Sequence, residues 1–92
     1  MPPLEKTIVA KVIAEAKRQG FWTMKNHGSS YSIKGLPDIL AIRDGRCYWM
    51  EVKRPGESPT KIQHHIMRQL RSFGCQVAVV TSVAEARELL HE

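Results

Sequence analysis

From Asp38 to Lys53 the chain reads DILAIRDGRCYWMEVK, two β-rich runs separated by Asp44-Gly45, the strongest short signal for a two-residue hairpin. Such a turn makes DILAIR and RCYWMEVK pair antiparallel and settles which residues stand across from one another. Side chains alternate along a strand, so Glu51 and Lys53 share one face while Met50 and Val52 share the other. Asp38, at the start of the first strand, then lies across from the end of the second, near Glu51 and Lys53. Three ionisable groups meet at one sheet end, where valine or threonine would ordinarily stand.

The flanking segments complete an α/β pattern. In LEKTIVAKVIAEAKRQG, the residues Ile8, Val9, Val12, Ile13 and Ala16 recur at helical spacing, with Lys17 and Arg18 before a terminating Gly20. Counting about 100° per residue puts Glu5 near the middle of the apolar arc and Glu15 towards its edge. Two roles are open to Glu5: a first-turn carboxylate favoured by the helix dipole in water, or a buried-side carboxylate kept company by a cation, a metal or hydrogen-bond donors. FWTMKN reads as a strand and HGSSYSIKG as a flexible loop; RPGESP breaks the sheet.

Ser58 followed by Pro59 suits an N-cap and first helical residue, opening TKIQHHIMRQLRSFG, with Ile62, Ile66, Leu70 and Phe73 on one face. CQVAVVTS is a buried strand reached by a crossover helix, and so parallel to an earlier one. SVAEARELLHE is a short closing helix with Ser82 and Glu85 as a capping box. Trp22 and Trp49 are expected in the core. The order is αβββαβα, a mixed sheet flanked by helices.

A length of 92 residues with 42% hydrophobic content fits one globular domain over 1–92, small enough that a second copy covering some apolar area, a homodimer, is expected. Fourteen Lys and Arg against nine Asp and Glu favour a polyanionic partner. Cys47 and Cys75 lie far apart with no metal-ligand spacing, which reads as two reduced thiols. With no apolar leader and no run long enough to span a membrane, the expected location is the cytoplasm.

Two carboxylates and a backbone carbonyl form a hard oxygen site suited to Mg²⁺ or Mn²⁺, which keep waters for chemistry while a phosphodiester supplies a further ligand. Lys53 would orient or deprotonate the water and stabilise developing charge. The competing reading makes Glu51 and Lys53 the solvated face of an edge strand in a non-catalytic, basic nucleic-acid-binding module. Against it stand Pro37 directly before Asp38, the spacing from Asp38 to Glu51 and Lys53, and Glu5 upstream.

Lys25, His27, Lys34 and Arg54 lie nearest this centre along the chain and are candidates to position a DNA backbone. Lys61, His64, Arg68 and Arg71 form a basic stripe on the second long helix, either tracking phosphates or simply solvated. Tyr31 sits at the loop tip, where an aromatic could stack on an exposed base or be an ordinary loop residue.

GLPD, EVK and the element order resemble the PD-(D/E)xK nuclease superfamily. The helix opening with Glu5, KGLPDIL from Lys34, EVKRPGE from Glu51 and SPTKIQ ending at Gln63 resemble its VRR-NUC branch, over nearly the whole chain. The resemblance implies a restriction endonuclease-like core and a Mg²⁺- or Mn²⁺-dependent endonuclease acting on branched or flapped DNA. Its small stand-alone members, often phage-type, resemble homodimeric resolvases of four-way (Holliday) junctions, which suits the cytoplasm of a bacterium or phage-infected host. Carried over, the catalytic centre is Glu5, Asp38, Glu51 and Lys53, with Gln63 beside it and the Val52 carbonyl as a further metal ligand. Lys25, His27, Lys34, Arg54, Lys61 and Arg68 are the expected DNA contacts.

Overall fold

The apolar stripe of the first segment becomes α1 (Glu5–Arg18) in the computed structural model, which describes residues 3–28 and 32–91. Ile8, Val9, Val12 and Ala16 are buried along it; full burial of a valine or isoleucine contributes about 1.5–3 kcal/mol. The helix ends in a Schellman motif, the Phe21 amide donating to the Ala16 carbonyl and the Gly20 amide to Lys17, both at 3.0 Å. That turn drops Phe21 into the core and starts β1 (Trp22–Lys25).

β2 (Ile39–Arg43) and β3 (Arg46–Val52) follow, joined through Asp44 and Gly45. Both turn residues have positive φ, 54° and 76°, as a type I′ hairpin requires. The remaining elements are α2 (Lys61–Ser72), β4 (Gln76–Val80) and α3 (Val83–Leu90). The sheet order is β1-β2-β3-β4, antiparallel except for the β3–β4 pair, which runs parallel across the α2 crossover. Thus the αβββαβα order and mixed sheet read from the sequence are those of the structure.

One face of the sheet carries the main core: Ile39, Ala41, Tyr48, Met50, Val52 and Val80 pack with the stripe of α1 and with Ala86 and Leu90 of α3. Glu15 ties those two helices together, taking Arg18 Nη2 at 2.6 Å and Gln19 Nε2 at 2.7 Å, with Arg87 Nε at 3.4 Å. Hydrogen bonding from Arg18, then from Gln19, holds its carboxyl down at about 2. The other face holds Trp49 and Glu51, and α2 packs there through buried Met67. Among the described residues no helix is long and apolar enough to cross a membrane.

Three expectations about these elements are corrected. Trp22 is 60% exposed because β1 is the edge strand and its outward face has no helix over it. Phe73 is 87% exposed because it is the C-cap of α2, past the last turn; Met67, not the Ile62–Phe73 row, is the buried anchor. The cap of α2 is Thr60 rather than Ser58: its hydroxyl accepts from the Gln63 amide, and the Gln63 side chain accepts from the Thr60 amide. Tyr31 lies outside the described residues.

Finally, Cys47 and Cys75 are not two separate thiols but are joined as a disulfide, with a Cα–Cα distance of 5.4 Å. The parallel register pairs Tyr48 with Gln76, so the residues just before them stand side by side although 28 positions apart in sequence. Closing a loop of that length removes enough unfolded-state entropy to contribute about 3–4 kcal/mol. Urea unfolding with and without reductant should show a loss of that order on reduction, and Cys47→Ser should unfold at the same urea concentration under both conditions.

Candidate active site

The hairpin register pairs Ile39 with Met50, which sets Asp38 opposite Glu51 at the open end of the sheet. Asp38 Oδ2 accepts the Val52 amide at 2.8 Å, so the carboxylate lies across the strand end instead of projecting into water. Glu5, in the first turn of α1, reaches the same place. Carboxylate oxygens of Glu5, Asp38 and Glu51 all lie within 4.8 Å of one another.

Glu51 is the buried member, 1% exposed on a central strand, not the solvated edge residue of the competing reading. Its Oε2 receives Gln63 Nε2 at 3.3 Å and faces Lys53 Nζ at 3.6 Å, while Oε1 is buried without a hydrogen-bond partner. Burial, then the neighbouring Asp38 charge, raises its carboxyl from 4.5 to about 8, with Lys53 pulling the other way. An orphaned buried oxygen among three carboxylates, with an ammonium alongside, is a donor set that fits a hard divalent cation.

Gln63 is oriented by its own helix. The capping box uses Oε1 to accept the Thr60 amide at 2.9 Å, which leaves the Nε2 donor to face Glu51. The turn before Asp38 is docked onto the same helix start: a Cβ at Gly35, where φ is 84°, would stand 2.7 Å from the Ile62 carbonyl oxygen. Only glycine allows that backbone approach.

The predicted DNA contacts divide by position. Lys25 ends β1 opposite Ile39, the residue that follows Asp38, and is exposed. His27 and Lys34 are exposed on the connection between β1 and β2. Arg54 follows Lys53, half-buried, its amide donating to Glu57 Oε1 at 3.0 Å. Lys61 opens α2, two residues before Gln63, and is exposed. Arg68 is exposed further along that helix, whereas Arg71 of the same stripe donates to the Val77 carbonyl at 3.2 Å and so braces α2 against β4. Two residues with no role in the sequence reading support the centre: Thr60, signalled by the T-x-x-Q spacing, and Asn26, which bonds both the Asp38 carbonyl and the turn before it.

A mixed α/β sheet with carboxylates and a lysine at one strand end defines the class, and sequence comparison gives the family. The chain belongs to the archaeal Holliday junction resolvase (Hjc) family, whose sequence model matches residues 8–85. It is therefore a member of a nuclease family; Asp38, Glu51, Lys53 and Gln63 fall inside the matched region and Glu5 just outside it. A solved structure described as a VRR_NUC domain superposes with a TM-score of 0.79 at 23% identity, covering 96% of this chain and 95% of that one. Another, a VRR_NUC domain protein, gives 0.82 at 18% identity, covering 99% and 88%. These likenesses show that the fold is that of VRR_NUC domains. No curated protein matches the sequence.

Glu51 makes the centre sensitive to alkali. Its carboxyl ionises near 4.5 when unfolded and near 8 when folded, so its contribution to stability is complete below 4.5 and is lost as pH rises through 8. Urea unfolding in chelator should show stability falling across that window, and Glu51→Gln, which cannot ionise, should flatten the slope.

Proposed function

We propose that the chain is a divalent-metal-dependent endonuclease that cuts branched DNA, with four-way junctions as its preferred substrate. The observation that carries this reading is the approach of Glu5, Asp38 and Glu51 carboxylate oxygens to within 4.8 Å of one another, with Glu51 buried, one of its oxygens unpartnered and Lys53 beside the other. The junction preference rests on membership of the resolvase family.

Asp38 and Glu51 would hold Mg²⁺ or Mn²⁺, with Glu5 and the Val52 carbonyl completing the protein's share. Such an ion supplies Lewis acidity, making water more acidic and offsetting negative charge on a phosphodiester. The side chains prepare the rest. Gln63 fixes one Glu51 oxygen, and the other stays buried without a hydrogen-bond partner. Lys53, largely buried and 3.6 Å from Glu51, presents an ammonium that compensates charge growing on the phosphoryl oxygens; as the neutral amine it would accept a proton from the attacking water. Lys25, His27, Lys34, Arg54, Lys61 and Arg68 would bind the backbone on either side, each such lysine or arginine steepening the salt dependence.

A homodimer would set two such centres on a two-fold junction. Support for it comes from β1, whose outward Trp22 and Met24 form an apolar edge left exposed among the described residues.

The deciding experiment offers labelled single strand, duplex, flap and four-way junction with Mg²⁺ or Mn²⁺ to the protein and to Glu51→Ala and Lys53→Ala. We expect metal-dependent cuts, fastest on the junction, with rates at least about a hundredfold lower in both variants. Tight DNA binding that is indifferent to metal, with no cleavage of any substrate, would establish the binding module instead. Sedimentation of the wild type and of Trp22→Glu tests assembly: a dimer that becomes a monomer in the variant supports the β1 interface, and a wild-type monomer removes it.

A further inference from the structure

Asn26, the first residue beyond β1, has its backbone N–H and its side-chain donors and acceptor engaged at once. Its backbone amide donates to the Asp38 carbonyl at 2.8 Å. Its side-chain Nδ2 donates to the Leu36 carbonyl at 3.1 Å and reaches the Pro37 carbonyl at 3.4 Å, and its Oδ1 accepts the Gly28 amide at 3.0 Å. One half-buried residue thereby grips three consecutive carbonyls, those of residues 36, 37 and 38. A regular antiparallel ladder would hold only the last of them.

We propose that Asn26 is a positioning residue for the Asp38 carboxylate, an inference that rests on the reading of Asp38 as a metal ligand. Asp38 stands one residue before β2, where a strand end frays unless something holds it. On its C-terminal side the β2–β3 ladder holds the chain. On its N-terminal side the peptides of residues 36 and 37 are held by the Asn26 amide group. If they shift, the Asp38 carboxylate moves away from the Val52 amide and from Glu5 and Glu51.

The residue type follows from the bonds. Only a carboxamide of this length offers two donors to the carbonyls and an acceptor to Gly28. Aspartate has the same shape and keeps the acceptor, but it turns a charged oxygen towards two carbonyl oxygens. Alanine removes all three side-chain bonds and adds no charge. Loop closure alone, the ordinary use of an Asx turn, needs only the Gly28 bond, which aspartate preserves.

The test uses the full chain as wild type, Asn26→Asp, Asn26→Ala and Asp38→Ala, each checked for folding by its thermal transition. In metal-free protein, amide hydrogen exchange at Val52, whose partner is the Asp38 carboxylate, should speed up in both Asn26 variants. Exchange at Lys53, whose amide donates to the Val80 carbonyl at 3.0 Å, should stay as in the wild type. Calorimetry with Mn²⁺ alone should show affinity about 10–100-fold weaker in both Asn26 variants, the range found when a residue supporting a metal ligand is removed. Asp38→Ala should show no Mn²⁺ binding at this centre.

Wild-type Mn²⁺ affinity and wild-type Val52 exchange in Asn26→Ala would overturn the inference while leaving Asp38 as a ligand. Wild-type Mn²⁺ affinity in Asp38→Ala would overturn the metal reading itself, and this inference with it. Should Asn26→Asp fail to fold, Asn26→Ala decides by the same two measurements.

Discussion

The hydrogen bond from the Val52 amide to the Asp38 carboxylate, 2.8 Å long, sits where the ladder of β2 and β3 runs out. An acidic side chain here does the work that a strand carbonyl does elsewhere, and so a charged group becomes part of the sheet. The cost of setting a carboxylate at a buried strand end is offset because it accepts a backbone donor that would otherwise lack a partner. The two-residue turn at Asp44-Gly45 makes this possible. Insertion of one residue there would shift the register and send Glu51 to the opposite face.

Electrostatics at the centre are deliberately unbalanced. Three carboxylates approach within 4.8 Å of one another, one of them on a central strand, and Lys53 is the cation paired with Glu51. Without a divalent ion the imbalance is relieved by a proton, which is why the Glu51 carboxyl is raised to about 8 by burial and by Asp38. Glu15 shows the opposite arrangement on the far side of α1. It too is buried, but Arg18, Gln19 and Arg87 all point at it, and its carboxyl is held at about 2. The contrast separates a carboxylate that arginines compensate while it fastens two helices from one that burial and a neighbouring carboxylate push towards its protonated form.

Much of this was legible in the sequence, for local reasons. Asp44-Gly45 announced the hairpin, the spacing of Ile8, Val9, Val12 and Ala16 announced α1, and alternation along β3 separated Glu51 and Lys53 from Met50 and Val52. What stayed hidden depends on packing between distant segments. An apolar residue does not reveal whether a helix covers its face, so Trp22 was assigned to the core and Phe73 to the apolar face of α2. Ser58 and Thr60 flank Pro59 and both have capping side chains; Thr60 takes the role because glutamine stands three residues after it. The juxtaposition of Cys47 and Cys75 required the parallel register of β3 and β4, which their spacing does not encode. Asn26 looked like a strand end followed by a loop because its partners at residues 36–38 lie ten or more positions away.

The Cys47–Cys75 link closes a covalent ring, and Glu51, Lys53, Arg54 and Gln63 all lie on it, whereas Glu5 and Asp38 lie on the tail that precedes it. Residues 55–58 are an exposed stretch of that ring outside any helix or strand. A peptide bond cut there opens the ring without dividing the molecule. The oxidised protein gains only the mass of one water and keeps both halves of the centre, and only reduction releases two pieces.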